Sequence, residues 1–289
     1  MLAGVLLGFA ASASWALANV AVQRAGRAVG PLPGLFWTQL IGIGVALAGT
    51  AVFGQWPTAL TAGDWAWIAV AGVAGLVAYV SIFYAFEHGD LTVAVPIISS
   101  WAVLSAGVSV VFFGERLTLN QLIGAGAVVA GAIVVTRFVH AGGGRAREPS
   151  QGSRVSLLAA VGASVGFGIA VPAIRRLSGP FGPVAPIGVV YAADLVLALP
   201  LVLAFRIKLP LPRGRAWLPL VLAGFLETAG SVCITFGARH APLAIVSPLA
   251  SLAAALTVVF AWVFLGERPT RGVLVGAALV SAGVVILAL

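Results

Sequence analysis

The sequence predicts an all-α membrane protein of ten transmembrane helices, built from two inverted five-helix repeats. Three observations predict it. The 289-residue chain is 61% hydrophobic and 8% charged, with mean hydropathy +1.12, where soluble domains carry about a quarter charged residues. Its apolar runs are mostly about 20 residues long, which suits an α-helix crossing a hydrocarbon core and exceeds the strand of a transmembrane barrel. The chain also repeats itself at an offset of 152 residues.

In chain order the spans cover residues 3–22, 32–53, 64–86, 91–112, 119–138, 155–174, 183–204, 216–237, 242–264 and 271–288. The first carries Ala11-Ser12-Ala13, which imitates a signal-peptide cleavage site. No cation precedes its apolar run and it has a counterpart inside the chain, so it is read as a span. Gly30-Pro31 separates it from the second, and the third runs toward His88. The fourth contains Pro96 and stops at the phrase Gly114-Glu115-Arg116-Leu117-Thr118. The fifth carries Gly124 and Gly131 and leads into His140–Arg154, whose Gly, Ser and charge content is that of a linker.

The remaining five spans replay these landmarks. Arg176, Gly182-Pro183, Trp217, His240, Pro248, Ser251, Gly276 and Gly283 stand 152 residues after Arg24, Gly30-Pro31, Trp65, His88, Pro96, Ser99, Gly124 and Gly131. The phrase itself returns as Gly266-Glu267-Arg268-Pro269-Thr270. Five spans per half is an odd number, so the second half must enter the membrane from the opposite side. The expected division is residues 1–138, a linker at 139–154, and residues 155–289. Inverted five-span repeats are the mark of secondary transporters, because two such halves can exchange inward-open and outward-open shapes. The pairs Gly4/Gly8, Gly162/Gly166 and Gly272/Gly276 provide for close helix packing.

The pattern of short spans in two halves, with a Pro-bearing fourth span, a G-E-R-x-T phrase and then spaced glycines, resembles the EamA-type branch of the drug/metabolite transporter superfamily. The resemblance covers the full chain. It implies export of amino acids, other metabolites or drugs, and it is weak on which of them.

The repeated phrase reads first as a helix joint. Gly114 and Gly266 suit the left-handed position that ends a helix, and Thr118 and Thr270 suit the cap of the next. Gln121 completes a T-x-x-Q capping box in the first copy, whereas Val273 leaves the second without one. Glu115 and Glu267 are then interface charges, paired with Arg or with helix-terminal amides, and the competing reading makes them substrate contacts; the two joints, with Arg116 and Arg268, lie on opposite faces in inverted halves and are candidate gates or latches.

Two carboxyl groups need a different account. Asp194 and Glu227 fall near the middle of the seventh and eighth spans, where an ionised carboxylate costs about 2.5–3.5 kcal/mol on insertion scales. The offset sets Gly42 opposite Asp194 and Gly75 opposite Glu227, so the acids break the repeat's symmetry. No Lys or Arg lies at that depth to pair with them. A carboxyl that can be neutral or charged can carry a proton or meet a cationic solute; the alternative is a protonated acid bonded to a neighbouring helix. Glu227, Ser231 and Thr235 form one stripe, Tyr191 and Asp194 another, Ser12, Trp15, Asn19 and Gln23 a third, and Ser81, Tyr84 and His88 a fourth. These stripes are expected to converge on one cavity, with Trp15, Tyr84, Trp101 and Tyr191 as aromatic contacts to a hydrophobic or cationic solute or, in the alternative, as interfacial anchors or lipid contacts. Pro96 and Pro248 are expected to be symmetric hinges or packing kinks. Ser99 and Ser100 either line the cavity or bond back to the helix.

Gly162-Ala163-Ser164-Val165-Gly166 fits a serine-hydrolase pattern, but that chemistry needs a strained turn after a strand, and His88, His140 and His240 all lie at span ends or in the linker. An intramembrane hydrolase is the outlying alternative, and a flippase-like exporter of a lipid-linked group the nearer one. One cysteine, Cys233, excludes an internal disulfide and a Cys-based metal cluster. The net charge of +8 is mostly Arg spread over short loops, twelve cations on the side of the first connection and four on the other, which favours termini outside. The family resemblance implies cytoplasmic termini.

The expectation is therefore a secondary active exporter of a small organic solute, not an enzyme, in the cell (inner) membrane. Its expected partners are the solute, the lipid bilayer and, as coupling ion, protons. No nucleic acid, cofactor or metal is implied, and the expected state is monomer or homodimer.

Overall fold

A computed structural model describes residues 2–53, 60–113, 118–141, 151–240, 249–250 and 252–287, and among them all regular structure is helical. The helices are α1 (Leu2–Val29), α2 (Pro31–Phe53), α3 (Ala62–His88), α4 (Leu91–Ile98), α5 (Trp101–Phe113), α6 (Leu119–Ala141), α7 (Gln151–Phe181), α8 (Ala185–Ala204), α9 (Trp217–His240), α10 (Ala253–Phe260) and α11 (Arg271–Leu287). Seven segments among the described residues are long and apolar enough to cross a membrane. Three shorter apolar helices, Leu119–Val135, Ala253–Leu265 and Arg271–Ile286, match the fifth, ninth and tenth expected spans.

Helix ends differ from span ends for a physical reason. Hydropathy marks the hydrocarbon core, whereas backbone hydrogen bonding continues past it, so α1 runs on to Val29 and α7 to Phe181. Both stop where glycine permits a left-handed backbone, at Gly30 (φ 89°) and Gly182 (φ 72°), which are repeat equivalents.

The fourth expected span is two helices. Pro96 has no N–H to donate to the turn before it, and Ser99 Oγ donates back to the Val95 carbonyl at 2.9 Å. Ser100 N–H then bonds to Ile97 O at 3.1 Å, a tighter turn that separates α4 from α5. Pro248, its equivalent, lies outside the described residues.

Packing follows the small residues. In lipid, apolar side chains gain little by leaving their surroundings, so helices associate where backbones approach closely. A Cβ on Gly131 of α6 would stand 2.7 Å from Gly276 O of α11, and one on Gly283 would stand 2.7 Å from Gly124 O. The lower-numbered glycine of each helix meets the higher-numbered one of the other, so these equivalent helices cross antiparallel. The same holds for α2 and α8, where Gly42 faces Tyr191 and Gly49 faces Val184. The other main packings include α3 on α7, α1 on α9, α2 on α9 and α3 on α8, with α5 on α7 and α1 on α10 beside them. Exchanging the halves converts the first of these into the second and the third into the fourth. Large apolar side chains cover the outside, Val52, Val111 and Leu158 among them, as a lipid-facing surface requires.

Candidate functional site

Four helices, α2, α3, α8 and α9, bring their polar residues together. Asp194 is fully buried, and its Oδ2 accepts a hydrogen bond from Gln39 Nε2 at 2.9 Å. Tyr79 Oη donates toward Glu227 Oε1 at 3.3 Å and lies 3.3 Å from Tyr191 Oη. Trp15 Nε1 reaches the Glu227 main-chain carbonyl at 3.3 Å. Thr38, Gln39, Tyr79, Phe83, Tyr191, Gly224 and Glu227 line a cavity of about 10 Å³, room for roughly one water. Little free space remains within the cluster.

Glycine supplies the space. A Cβ on Gly75 would lie 2.6 Å from Asp194 Oδ1, and one on Gly42 would lie 2.7 Å from the Tyr191 ring and 3.0 Å from Thr228 Oγ1. Under the 152-residue offset the pair Asp194 and Gly75 becomes Gly42 and Glu227. Gly75 makes room for Asp194, while Gly42 makes room for Tyr191 and for Thr228, the neighbour of Glu227.

The joint phrase occupies a separate place. A π-helical turn, Ala261–Leu265, follows α10 and ends on Gly266 with φ 71°, the left-handed conformation expected there. It aims Glu267 at the start of α4: Oε1 accepts from Leu91 N at 3.0 Å and from Gln23 Nε2 at 3.4 Å, and Oε2 accepts from Thr92 N at 2.9 Å. A carboxylate on the first amides of a helix satisfies donors that have no partner within it and meets the positive end of the dipole. Asp90, which precedes them, is held above the usual carboxylate range by its burial and by Glu267, with Arg27 acting the other way. Glu267→Ala strands two amides, and the expected cost is about 1 kcal/mol, read as a drop of a few degrees in the melting temperature in detergent. A melting curve unchanged from wild type would remove the capping role.

The model of the EamA-like transporter family matches residues 2–137 and again 154–289. The chain belongs to the EamA-like transporter family. It is similar to the "Probable terminal-alkyne amino-acid exporter" of Streptantibioticus cattleyicolor, with 33% identity over 227 residues, 76% of this chain and 72% of that one. It is also similar to the "Uncharacterized transporter in cobO 3'region" of Sinorhizobium sp, with 30% identity over 96 residues, 32% of this chain and 68% of that protein. A solved crystal structure superposes with a TM-score of 0.69 at 21% identity over 98% of this chain and 97% of its own, a likeness of fold. This EamA-like transporter is accordingly a multi-pass integral membrane protein, of the inner membrane in a bacterial cell.

Other residues singled out in the sequence are distributed more widely in this EamA-like transporter. Asn19 Nδ2 donates to Thr257 Oγ1 of α10 at 3.0 Å. Ser231 and Thr235 return their hydroxyls to carbonyls of their own helix, at 3.1 and 2.8 Å, and Ser12 does likewise at 2.9 Å. Tyr84 is exposed and stacked on His88, with ring centroids 5.8 Å apart, so the stripe on α3 does not join the others. Trp101 begins α5 and packs against the apolar core. Arg268 is exposed, and Glu115 and Arg116 lie outside the described residues. The T-x-x-Q box is formed: Thr118 N–H donates to Gln121 Oε1 at 2.9 Å and Gln121 N–H to Thr118 Oγ1 at 3.3 Å. At Thr270 only the Val273 N–H bond forms.

Sequence reasoning passed over Gln39 and Tyr79. The offset was the available signal, since Gln39 is the repeat equivalent of Tyr191 and Tyr79 of Ser231.

Proposed function

We propose that this EamA-like transporter is a ten-span secondary exporter of two inverted five-helix repeats, moving a small organic solute outward by alternating access with protons as coupling ion. The antiparallel crossings of α6 with α11 and of α2 with α8 support the inverted repeat. The observation that carries the functional reading is the meeting of Glu227 with Tyr79, Tyr191 and Gln39 around a small cavity, with Asp194 bonded to Gln39. Acids inside a membrane bundle commonly mark solute or proton pathways. The tyrosine and phenylalanine walls suit a solute that pairs an ammonium group with an apolar body, and an amino acid has that form. The similarity to an amino-acid exporter points the same way.

Glu227 then meets the solute or a proton, and Asp194 carries a proton. Reconstituted into proteoliposomes, the wild type should move amino acids or cationic drugs faster with a pH gradient than without one. Glu227→Gln and Asp194→Asn should each reduce that transport about tenfold or more, in line with the loss of a group acting at the site. Full, still pH-dependent transport by both variants would defeat the reading.

A further inference from the structure

The two acids do not occupy equivalent surroundings. Glu227 lines the cavity; Asp194 does not, and the cavity-lining side chain that bonds to Asp194 is Gln39. Gln39 is 3% exposed, held by a single described hydrogen bond from its Nε2 to Asp194 Oδ2 at 2.9 Å. Its Oε1 has no hydrogen-bond partner among the described residues, nor have Thr38 Oγ1 beside it and Asp194 Oδ1 against Gly75.

A primary amide is a two-ended group, with donors at the nitrogen and an acceptor at the oxygen. An ionised Asp194 has only acceptors, so it must be met by the nitrogen end, which leaves the oxygen end of Gln39 for the cavity. Once Asp194 Oδ2 takes up a proton, its O–H is a donor and is best met by the amide oxygen. A half-turn about the terminal torsion of Gln39 satisfies it and presents the N–H groups to the cavity instead. The proton forms one O–H bond on Asp194 and nothing else changes covalently.

We infer that Gln39 is a positioning residue that transmits the protonation of Asp194 to the cavity by reversing its amide, so that the site offers the solute an acceptor in one state and a donor in the other. An ammonium group is favoured by the acceptor face and a carboxylate by the donor face, which couples proton uptake to a change in how an amino acid is held. The inference rests on the proposed proton-coupled transport. Among the described residues, Tyr79 of α3 and Tyr191 of its own helix interact electrostatically with Asp194, and Glu227 of α9 with the same two tyrosines; α2 contributes the uncharged Gln39 and Thr38.

The test is the pH dependence of amino-acid transport in proteoliposomes. Gln39→Met keeps the volume and removes both ends of the amide. It should move the midpoint of the wild-type pH profile upward by less than about one unit, since the bond lost from the ionised acid is stronger than the neutral one lost from the protonated acid, whereas an amide that bonds only the ionised acid would give a shift of more than about one unit and overturn the reversal. In an Asp194→Asn background the same substitution should move the profile no further. Gln39→Asn, which keeps the amide on a shorter stem, should restore part of the wild-type profile, and a melting temperature for each variant separates misfolding from function. A Gln39→Met profile superimposable on wild type, in a folded protein, would overturn the amide switch and leave proton coupling standing. A wild-type rate independent of pH would overturn both.

Discussion

Gly131→Leu should leave little folded protein. The backbone of α11 lies against this position: a Cβ would stand 2.7 Å from Gly276 O and 2.7 Å from Val280 N. Neither atom belongs to a side chain that can rotate away, so α6 and α11 would have to move apart along a seam that also holds Gly124 and Gly283. Overpacking costs ~1–3 kcal/mol even where side chains adjust, and the expected cost here is at the top of that range or above it. The measurement is the monodisperse fraction and melting temperature in detergent, with Gly126→Leu as control, because a Cβ at Gly126 on the same helix meets nothing within 4 Å. Equal losses for the two variants would mean that the crossing is not the contact that matters.

Gly75→Ala should separate function from stability. The added methyl would fall 2.6 Å from Asp194 Oδ1, the end of a side chain, which can shift at small cost. Shifting it disturbs the 2.9 Å bond to Gln39 that fixes the carboxyl beside the cavity. Transport is expected to fall by about tenfold to a hundredfold, since a misplacement near one ångström can cost about a hundredfold at a site that depends on positioning, while the melting temperature stays close to wild type. Gly44→Ala on α2, where a Cβ meets nothing within 4 Å, should change neither. Undiminished uptake by Gly75→Ala would show that the contact of Gly75 with Asp194 is packing and not machinery.

Several features of the structure were legible before folding, each because its cause is local. The lipid core demands helices of a given length, so hydropathy located the apolar segments. The Gly266 turn and the Thr118 cap depend on residues within four positions of each other, and both form as their local chemistry dictates. The break after Pro96 was legible as a bend, and Ser99 decided where it falls by bonding back to Val95. The extra turns of α1 and α7 were not legible, since nothing apolar announces a helix that continues beyond the membrane.

The candidate site divides along the same line. Asp194 and Glu227 stood out in the sequence because charge is costly at mid-membrane and because the repeat supplies glycine at the matching positions. By itself, then, the sequence determined that the chain spans the membrane, that it is a doubled unit, and which two acids need explaining. Tertiary structure alone decided that Asp194 bonds to Gln39, that Glu227 meets Tyr79, that Tyr84 faces outward, and that Glu267 caps the opposite half's α4. The physical reason is that spans apolar on all sides carry no instruction about which face turns inward. That rotation is set where glycine lets one backbone touch another, and it exists only once the helices have met.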